Sequence, residues 1–190
     1  MDAGQHADQK DSPRFLRSLF SALVMIIIII GVSFLLREYV VQGYGIPSGS
    51  METTIMTGDN VFSEEVSYYF RDIEPGDVVT FKDPEIPSRV LIKRCVAVEG
   101  QTINLDEGKV YIDGVAIAED YTNGLPTDPL ARTVESITYP YTVPAGCIWV
   151  MGDNRTNSQD SRYFGAVPAS SVYGRAFMVY WPINHFGLLN

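Results

Sequence analysis

The sequence predicts a mainly β fold: an antiparallel, barrel-like sheet domain preceded by one N-terminal transmembrane helix. Three observations predict it. Residues Leu19 to Leu36 form an 18-residue run without a charge. Beyond it, short Val, Ile and Tyr runs alternate with Gly, Pro, Asn and Asp clusters at close spacing, which is the pattern of hairpins. No stretch past the run carries a long apolar stripe with the 3.6-residue helical period.

As a helix the charge-free run is about 27 Å long, close to the thickness of a bilayer core. It exceeds the apolar stretch of a cleavable leader, roughly 7 to 15 residues, and no convincing small-x-small site follows it, so a retained anchor is expected. Lys10, Arg14 and Arg17 precede the run and only Arg37 follows closely, a bias that leaves the tail in the cytoplasm. The expected organisation is a cytoplasmic tail at 1–18, a membrane span at 19–36 and one extracytoplasmic domain at 37–190.

After the span, Tyr39 to Ile46 has the aromatic and β-branched content of a strand and ends at Pro47. Ile46-Pro47-Ser48-Gly49-Ser50-Met51 reads as a tight turn, Met51 to Met56 as one helical turn, and Val61 to Val66 as a further strand or strand pair. Pro75-Gly76-Asp77 introduces the strand Val78 to Phe81, and Asp83 to Pro87 closes it. Val90 to Val98 is the next strand, followed by hairpins punctuated at Gly100, Gly108 and Gly114. Residues 119–135, with Asn123-Gly124, Pro126, Asp128 and Pro129, read as irregular, an exposed loop or a small insertion. Strands resume at Ser136–Tyr139 and Cys147–Met151, and the last apolar stretch, Ala176 to Trp181, stops at Pro182.

Charge excludes one class of partner. From Glu38 onward the chain carries twenty acidic and ten basic side chains, and the cations are scattered along it. Nucleic acid binding needs a clustered basic face that releases counterions, so none is expected. Cys95 and Cys147 leave both a disulfide and two free thiols open. No cofactor and no metal is called for.

The chemistry points to a lysine. Only four lysines occur, and Lys93 lies inside Val90-Leu91-Ile92-Lys93-Arg94-Cys95-Val96-Ala97-Val98. Burial disfavours the ammonium and lowers a lysine pKa by up to roughly 3 to 5 units, which turns the side chain into a base. Upstream, Ser48 and Ser50 sit in a Pro/Gly turn, and a neutral amine is what a serine needs to become a nucleophile. The alternative for both serines is an ordinary turn role, hydroxyl to local backbone, and for Lys93 it is an amine that snorkels from a sheet edge to water. His6 and His185 adjoin no second catalytic motif. No Gly-x-Ser-x-Gly elbow, His-Glu-x-x-His helix or Ser-x-x-Lys helix is present.

Four blocks in order, Pro47-Ser48-Gly49-Ser50-Met51, Gly58-Asp59, Arg89-Val90-Leu91-Ile92-Lys93-Arg94, and the polar string Met151-Gly152-Asp153-Asn154-Arg155-Thr156-Asn157-Ser158-Gln159-Asp160-Ser161-Arg162-Tyr163-Phe164-Gly165, closely resemble those of bacterial type I signal peptidases. The resemblance covers the chain from the anchor to about Arg175. It implies a membrane-anchored serine endopeptidase that removes signal peptides from exported preproteins, on a β fold whose catalytic groups face the membrane surface. Ser50 matches the family nucleophile and Lys93 its general base. Ser48 matches the hydroxyl that completes the oxyanion hole with the Ser50 N–H, and Ser158 the hydroxyl that orients the amine. Asp160 and Arg162 match a supporting ion pair, and Asp153 a structural carboxylate. Walls of shallow pockets for small residues are expected from Tyr44, Ile46, Pro47, Met51, Leu91 and Ile92. Strand alternation puts Arg94 on the face opposite Lys93, outside the catalytic set. The rivals are a pilus-maturation peptidase or a self-cleaving repressor built on the same dyad, and a catalytically silent membrane-tethered binding protein.

Overall fold

The computed structural model describes residues 12–189, which divide into two compact units at Val40/Val41. The first unit is helix α1, Ser12–Tyr39. It outruns the charge-free stretch at both ends, because helical hydrogen bonding continues through Arg14, Arg17 and Arg37, all good helix formers. Within it Phe15–Phe34 is long and apolar enough to cross a membrane, with a mean hydropathy of 2.5, and none of that window is buried. The expected tail at 1–18 lies largely outside the described residues.

The second unit is mainly antiparallel β. Its strands are β1 (Val41–Gly45), β2 (Asn60–Glu64), β3 (Val78–Lys82), β4 (Val90–Val98), β5 (Thr102–Asp106), β6 (Lys109–Ile112), β7 (Val115–Ala116), β8 (Tyr141–Thr142), β9 (Cys147–Met151), β10 (Val167–Pro168), β11 (Val172–Trp181) and β12 (Gly187–Leu188). The larger sheet runs β1-β2-β11-β3-β4-β9-β10, with β12 pairing on β11, and a smaller sheet runs β7-β6-β5-β8. Every pairing is antiparallel.

Three apolar clusters hold the sheets. One gathers Ile46, Met51, Ile55, Val61, Val78 and Val179 beneath the serine turn. A second, around Trp149, Ile103 and Val110, joins the smaller sheet to β4 and β9. A third contains Val79, Phe81, Cys95, Val150 and Phe164. Adjacent residues Val78 and Val79 enter different clusters, which is the two-residue period of a strand buried on both faces. Each fully buried large apolar side chain contributes about 1.5–3 kcal/mol.

Two expectations are corrected here. Ser136–Tyr139 forms no strand: β8 begins only after Pro140, whose missing N–H cannot join a ladder. Ile137 and Tyr139 instead pack against the Trp149 cluster. The 119–135 segment is irregular but not simply exposed. Thr122 and Thr127 are buried, and Glu119 is tied to Arg155 Nη2 at 2.5 Å. Cys95 and Cys147 are free thiols. The β4–β9 register sets Cys95 opposite Val150 and Val98 opposite Ile148, so the two cysteines are not cross-strand neighbours.

Candidate active site

The serine turn is the closed end of the β1–β2 hairpin. Gly45 pairs with Asn60, and just beyond, Ile46 N–H donates to the Asp59 carbonyl and Gly58 N–H to the Ile46 carbonyl, both at 2.8 Å. Gly58 adopts φ +93, a conformation open to glycine and strained for other residues. The Asp59 carboxylate caps the same turn by accepting from Met56 N–H at 2.8 Å, and its other oxygen lies 2.7 Å from His185 Nδ1. Within this frame Gly49–Met51 makes one 3₁₀ turn. It drives Met51 into the core, lets Ser50 face the cleft at 7 % exposure, and leaves Ser48 exposed at its rim.

Lys93 comes from the middle of β4, opposite Val79 of β3. Its Nζ donates to Ser50 Oγ at 2.6 Å and to the Ile92 carbonyl at 3.0 Å. The side chain is 3 % exposed. Burial pulls its pKa down from 10.5 to about 8, against the opposing pull of the Asp160 and Asp153 carboxylates. At neutral pH a usable fraction is free amine, able to accept the hydroxyl proton across that 2.6 Å contact.

The polar string after β9 forms the other wall. Asp153, fully buried, accepts Arg94 Nε at 2.9 Å and Nη2 at 2.8 Å, and Thr54 Oγ1 at 2.5 Å. Arg94 also donates to the Gly76 carbonyl at 2.8 Å and stacks over the Tyr121 ring at 4.1 Å. The residue next to the lysine therefore reaches, through Asp153 and Thr54, the segment that follows the nucleophile. Asp160 accepts Arg162 Nε and Nη2, each at 2.9 Å, and the Gly152 N–H at 3.0 Å. Arg162 adds the Arg155 carbonyl at 2.8 Å, so the string is folded back on itself by buried charge. A one-sided break in such a pair is costly, about 3–5 kcal/mol, because a bare charge stays behind.

Ser158 lines the same cleft as Ser50 and Lys93, but its hydroxyl is buried without a hydrogen bond, and the amine is held by Ser50 and the Ile92 carbonyl instead. Gly152 lets the string approach the turn this closely. A Cβ there would lie 2.3 Å from Ser158 Oγ and 2.4 Å from the Ser50 carbonyl oxygen. The cleft itself has a volume of about 840 Å³ and also takes in Asp83, Arg89, Leu91, Arg132 and Tyr163. Arg89 pairs with buried Asp83 at its mouth. No cluster of His, Cys, Asp or Glu suited to a metal ion occurs among the described residues.

The expected pocket walls are dispersed. Leu91 lines the cleft, and Tyr44 and Ile92 are half-buried against the first core cluster. Pro47 is exposed. Ile46 at 5 % and Met51 at 0 % exposure pack in the first core cluster, Ile46 from the residue just past β1 and Met51 from the end of the 3₁₀ turn. Sequence reasoning set Arg94 outside the catalytic set without finding its carboxylate partner, and did not single out Thr54 or Asn154. A charged residue beside an apolar strand position was the one available signal for Arg94, since a cation there demands a carboxylate.

The family model described as "Signal peptidase, peptidase S26" matches residues 17–181. The chain is 37 % identical over 161 residues to thylakoidal processing peptidase 1, chloroplastic, of Arabidopsis thaliana, covering 80 % of this chain and 45 % of that one, so it spans about half that relative's length. It is 33 % identical over 172 residues to probable signal peptidase I-1 of Synechocystis sp., covering 87 % of this chain and 84 % of that one. A solved signal peptidase I from Enterococcus faecalis V583 is 31 % identical, with a TM-score of 0.46 over 55 % of this chain and 97 % of that one. With a matching family model over most of its length and relatives at this identity, the chain belongs to the signal peptidases of family S26 and is a serine endopeptidase.

Proposed function

We propose that this protein is a membrane-anchored endopeptidase that cleaves signal peptides from exported preproteins after small-x-small motifs, with Ser50 as nucleophile and Lys93 as general base. The observation that carries the reading is the buried lysine amine 2.6 Å from a serine hydroxyl on the floor of an open cleft. Helix α1 is the anchor, with the N-terminus in the cytoplasm and the β domain outside, on the bias of Lys10, Arg14 and Arg17 against Arg37.

The cycle begins with neutral Lys93. As Ser50 Oγ bonds the scissile carbonyl carbon, its proton passes to Nζ and the carbonyl electron pair moves onto oxygen. The Ser50 N–H and the Ser48 hydroxyl receive that oxyanion. In a 3₁₀ turn the first N–H groups have no intrahelical acceptor, so the Ser50 N–H has no competing partner inside the turn. The C–N bond then breaks, and the Lys93 ammonium gives its proton to the departing amine. A water, deprotonated by the regenerated amine, attacks the ester; its hydroxyl stays on the signal peptide and Ser50 recovers a proton from Nζ.

Ser158 holds a buried hydroxyl with no bond of its own in the cleft that contains the amine. Such a group is available to fix the four-carbon stem of Lys93 when the ammonium forms and gains donors to place. Asp153, Asp160 and Arg162 support the wall rather than react. Small-residue selection falls to surface left by Tyr44, Pro47, Leu91 and Ile92, and an extended substrate adding main-chain bonds along a strand edge would present alternate side chains there.

The deciding experiment incubates the detergent-solubilised full chain with a preprotein, beside Ser50→Ala. Cleavage at the signal peptide boundary by the unmodified chain alone is expected. Equal cleavage by both, or none by either, refutes the reading.

A further inference from the structure

Asn154 has no part in the mechanism above, yet it grips the backbone of the nucleophile turn twice. Its side-chain Nδ2 donates to the Gly49 carbonyl at 3.0 Å, and its own N–H donates to the Ser50 carbonyl at 3.1 Å. The amide is oriented by a neighbour: Thr156 Oγ1 donates to Asn154 Oδ1 at 3.3 Å, which leaves Nδ2 for Gly49. The residue is itself anchored between buried Asp153 and buried Arg155.

The geometry gives this grip a direction. The peptide unit joining Gly49 to Ser50 is planar and trans, so its C=O and N–H point opposite ways. Holding the Gly49 carbonyl on one side therefore aims the Ser50 N–H to the other. Glu52 N–H also reaches the Gly49 carbonyl, at 3.2 Å, but it belongs to the same turn and moves with it. Asn154 is the contact that ties this peptide to another part of the fold, the wall that also carries Asp153, Ser158 and Asp160.

We propose that Asn154 is a positioning residue for the oxyanion hole: its side chain and main chain hold the Gly49–Ser50 and Ser50–Met51 peptides so that the Ser50 N–H is aimed at the developing oxyanion. The inference rests on the Ser50/Lys93 reading and adds a residue that touches neither the substrate nor the dyad side chains. A misaimed donor is a milder lesion than a deleted one, which lowers rate by about 10²–10³.

The test compares the full chain in detergent with Asn154→Ala and with Asn154→Asp, which keeps the shape and lacks the Nδ2 donor, on a peptide spanning a small-x-small cleavage site. The expected result in both is a kcat lowered about 10- to 100-fold with KM within about threefold; in Asn154→Ala the midpoint of the pH–rate profile stays where it was, because no charge is added near Lys93, whereas the new carboxylate of Asn154→Asp can only move it upward. A peptide aldehyde, whose adduct with Ser50 places an oxygen in the same hole, should bind more weakly by a similar factor. A kcat within twofold of the parent in either folded variant, a loss in KM alone, a shifted pH midpoint in Asn154→Ala or unchanged aldehyde binding overturns the proposal. So does failure of both variants to fold, which would make Asn154 a residue of the fold. If the parent itself does not cleave, the peptidase reading falls and this inference with it; if the parent cleaves, Ser50→Ala does not and the Asn154 variants match the parent, only the inference falls.

Discussion

Lys93→Met should abolish turnover and yet stabilise the β domain below pH 8. The amine is 3 % exposed, and burial holds its pKa near 8 against 10.5 in water. At about 1.4 kcal/mol per unit, that difference makes the folded state carry roughly 3 kcal/mol of unfavourable free energy below about pH 8, where the lysine is charged in both states. The sign follows from proton counting. Between about pH 8 and 10.5 the unfolded chain binds more protons than the folded one, so stability rises with pH across that window, and below it the full penalty is present. Methionine fills similar volume and does not titrate. Its gain over lysine is therefore greatest at pH 6, shrinks through pH 8 to 10.5, and is offset at every pH by about 1–3 kcal/mol for the Ile92 carbonyl that loses its donor. Guanidinium unfolding of the detergent-solubilised chain at pH 6, 8 and 10, followed by fluorescence of buried Trp149, measures it. A stability gap that does not change with pH refutes the claim that this lysine is kept dry.

The same titration sets the rate: kcat/KM should rise through a midpoint near pH 8 as the ammonium loses its proton, reaching about a tenth of its maximum at pH 7, and a plateau already complete at pH 6 contradicts it. Ser48→Ala should lower kcat by about 10²–10³ with little change in melting temperature, since its exposed hydroxyl caps nothing in the turn; steady-state kinetics beside calorimetry separate the two effects. Gly152→Ala should inactivate through overpacking that costs about 1–3 kcal/mol, and Ser158→Ala in the same chain should not restore activity, because the clash with the Ser50 carbonyl remains. A fully active Gly152→Ala chain means that the string and the turn are not in contact.

What the sequence makes legible is whatever local chemistry determines. The apolar run, the hairpin spacing and a lone lysine within a Val/Ile strand all express preferences that act over a few residues, so helix α1, most strands and the residue types of the proposed dyad could be read from them. Ser136–Tyr139 misleads because its β-branched and aromatic content is real, while the following proline denies it a ladder. The 119–135 segment misleads because its turn residues suit a free loop, and nothing local announces the Arg155–Glu119 pair or Arg94 stacked on Tyr121. Ile46 and Met51 flank the serines in the chain, and only the cluster beneath the turn decides that both pack inward while Ser50 between them faces the cleft.

By itself, then, the sequence determined the class of fold, the apolar helix and which residue types could form a nucleophile and a base. Tertiary structure alone decided that Ser50 and Lys93, 43 positions apart, lie at 2.6 Å, that Arg94 holds Asp153 across 59 positions, and that Asn154 grips a turn 105 positions upstream of it. Those contacts depend on strand register and on which charges are buried together. Both are properties of the packed sheet, set by the sum of many distant burials, and no short stretch of chain encodes them.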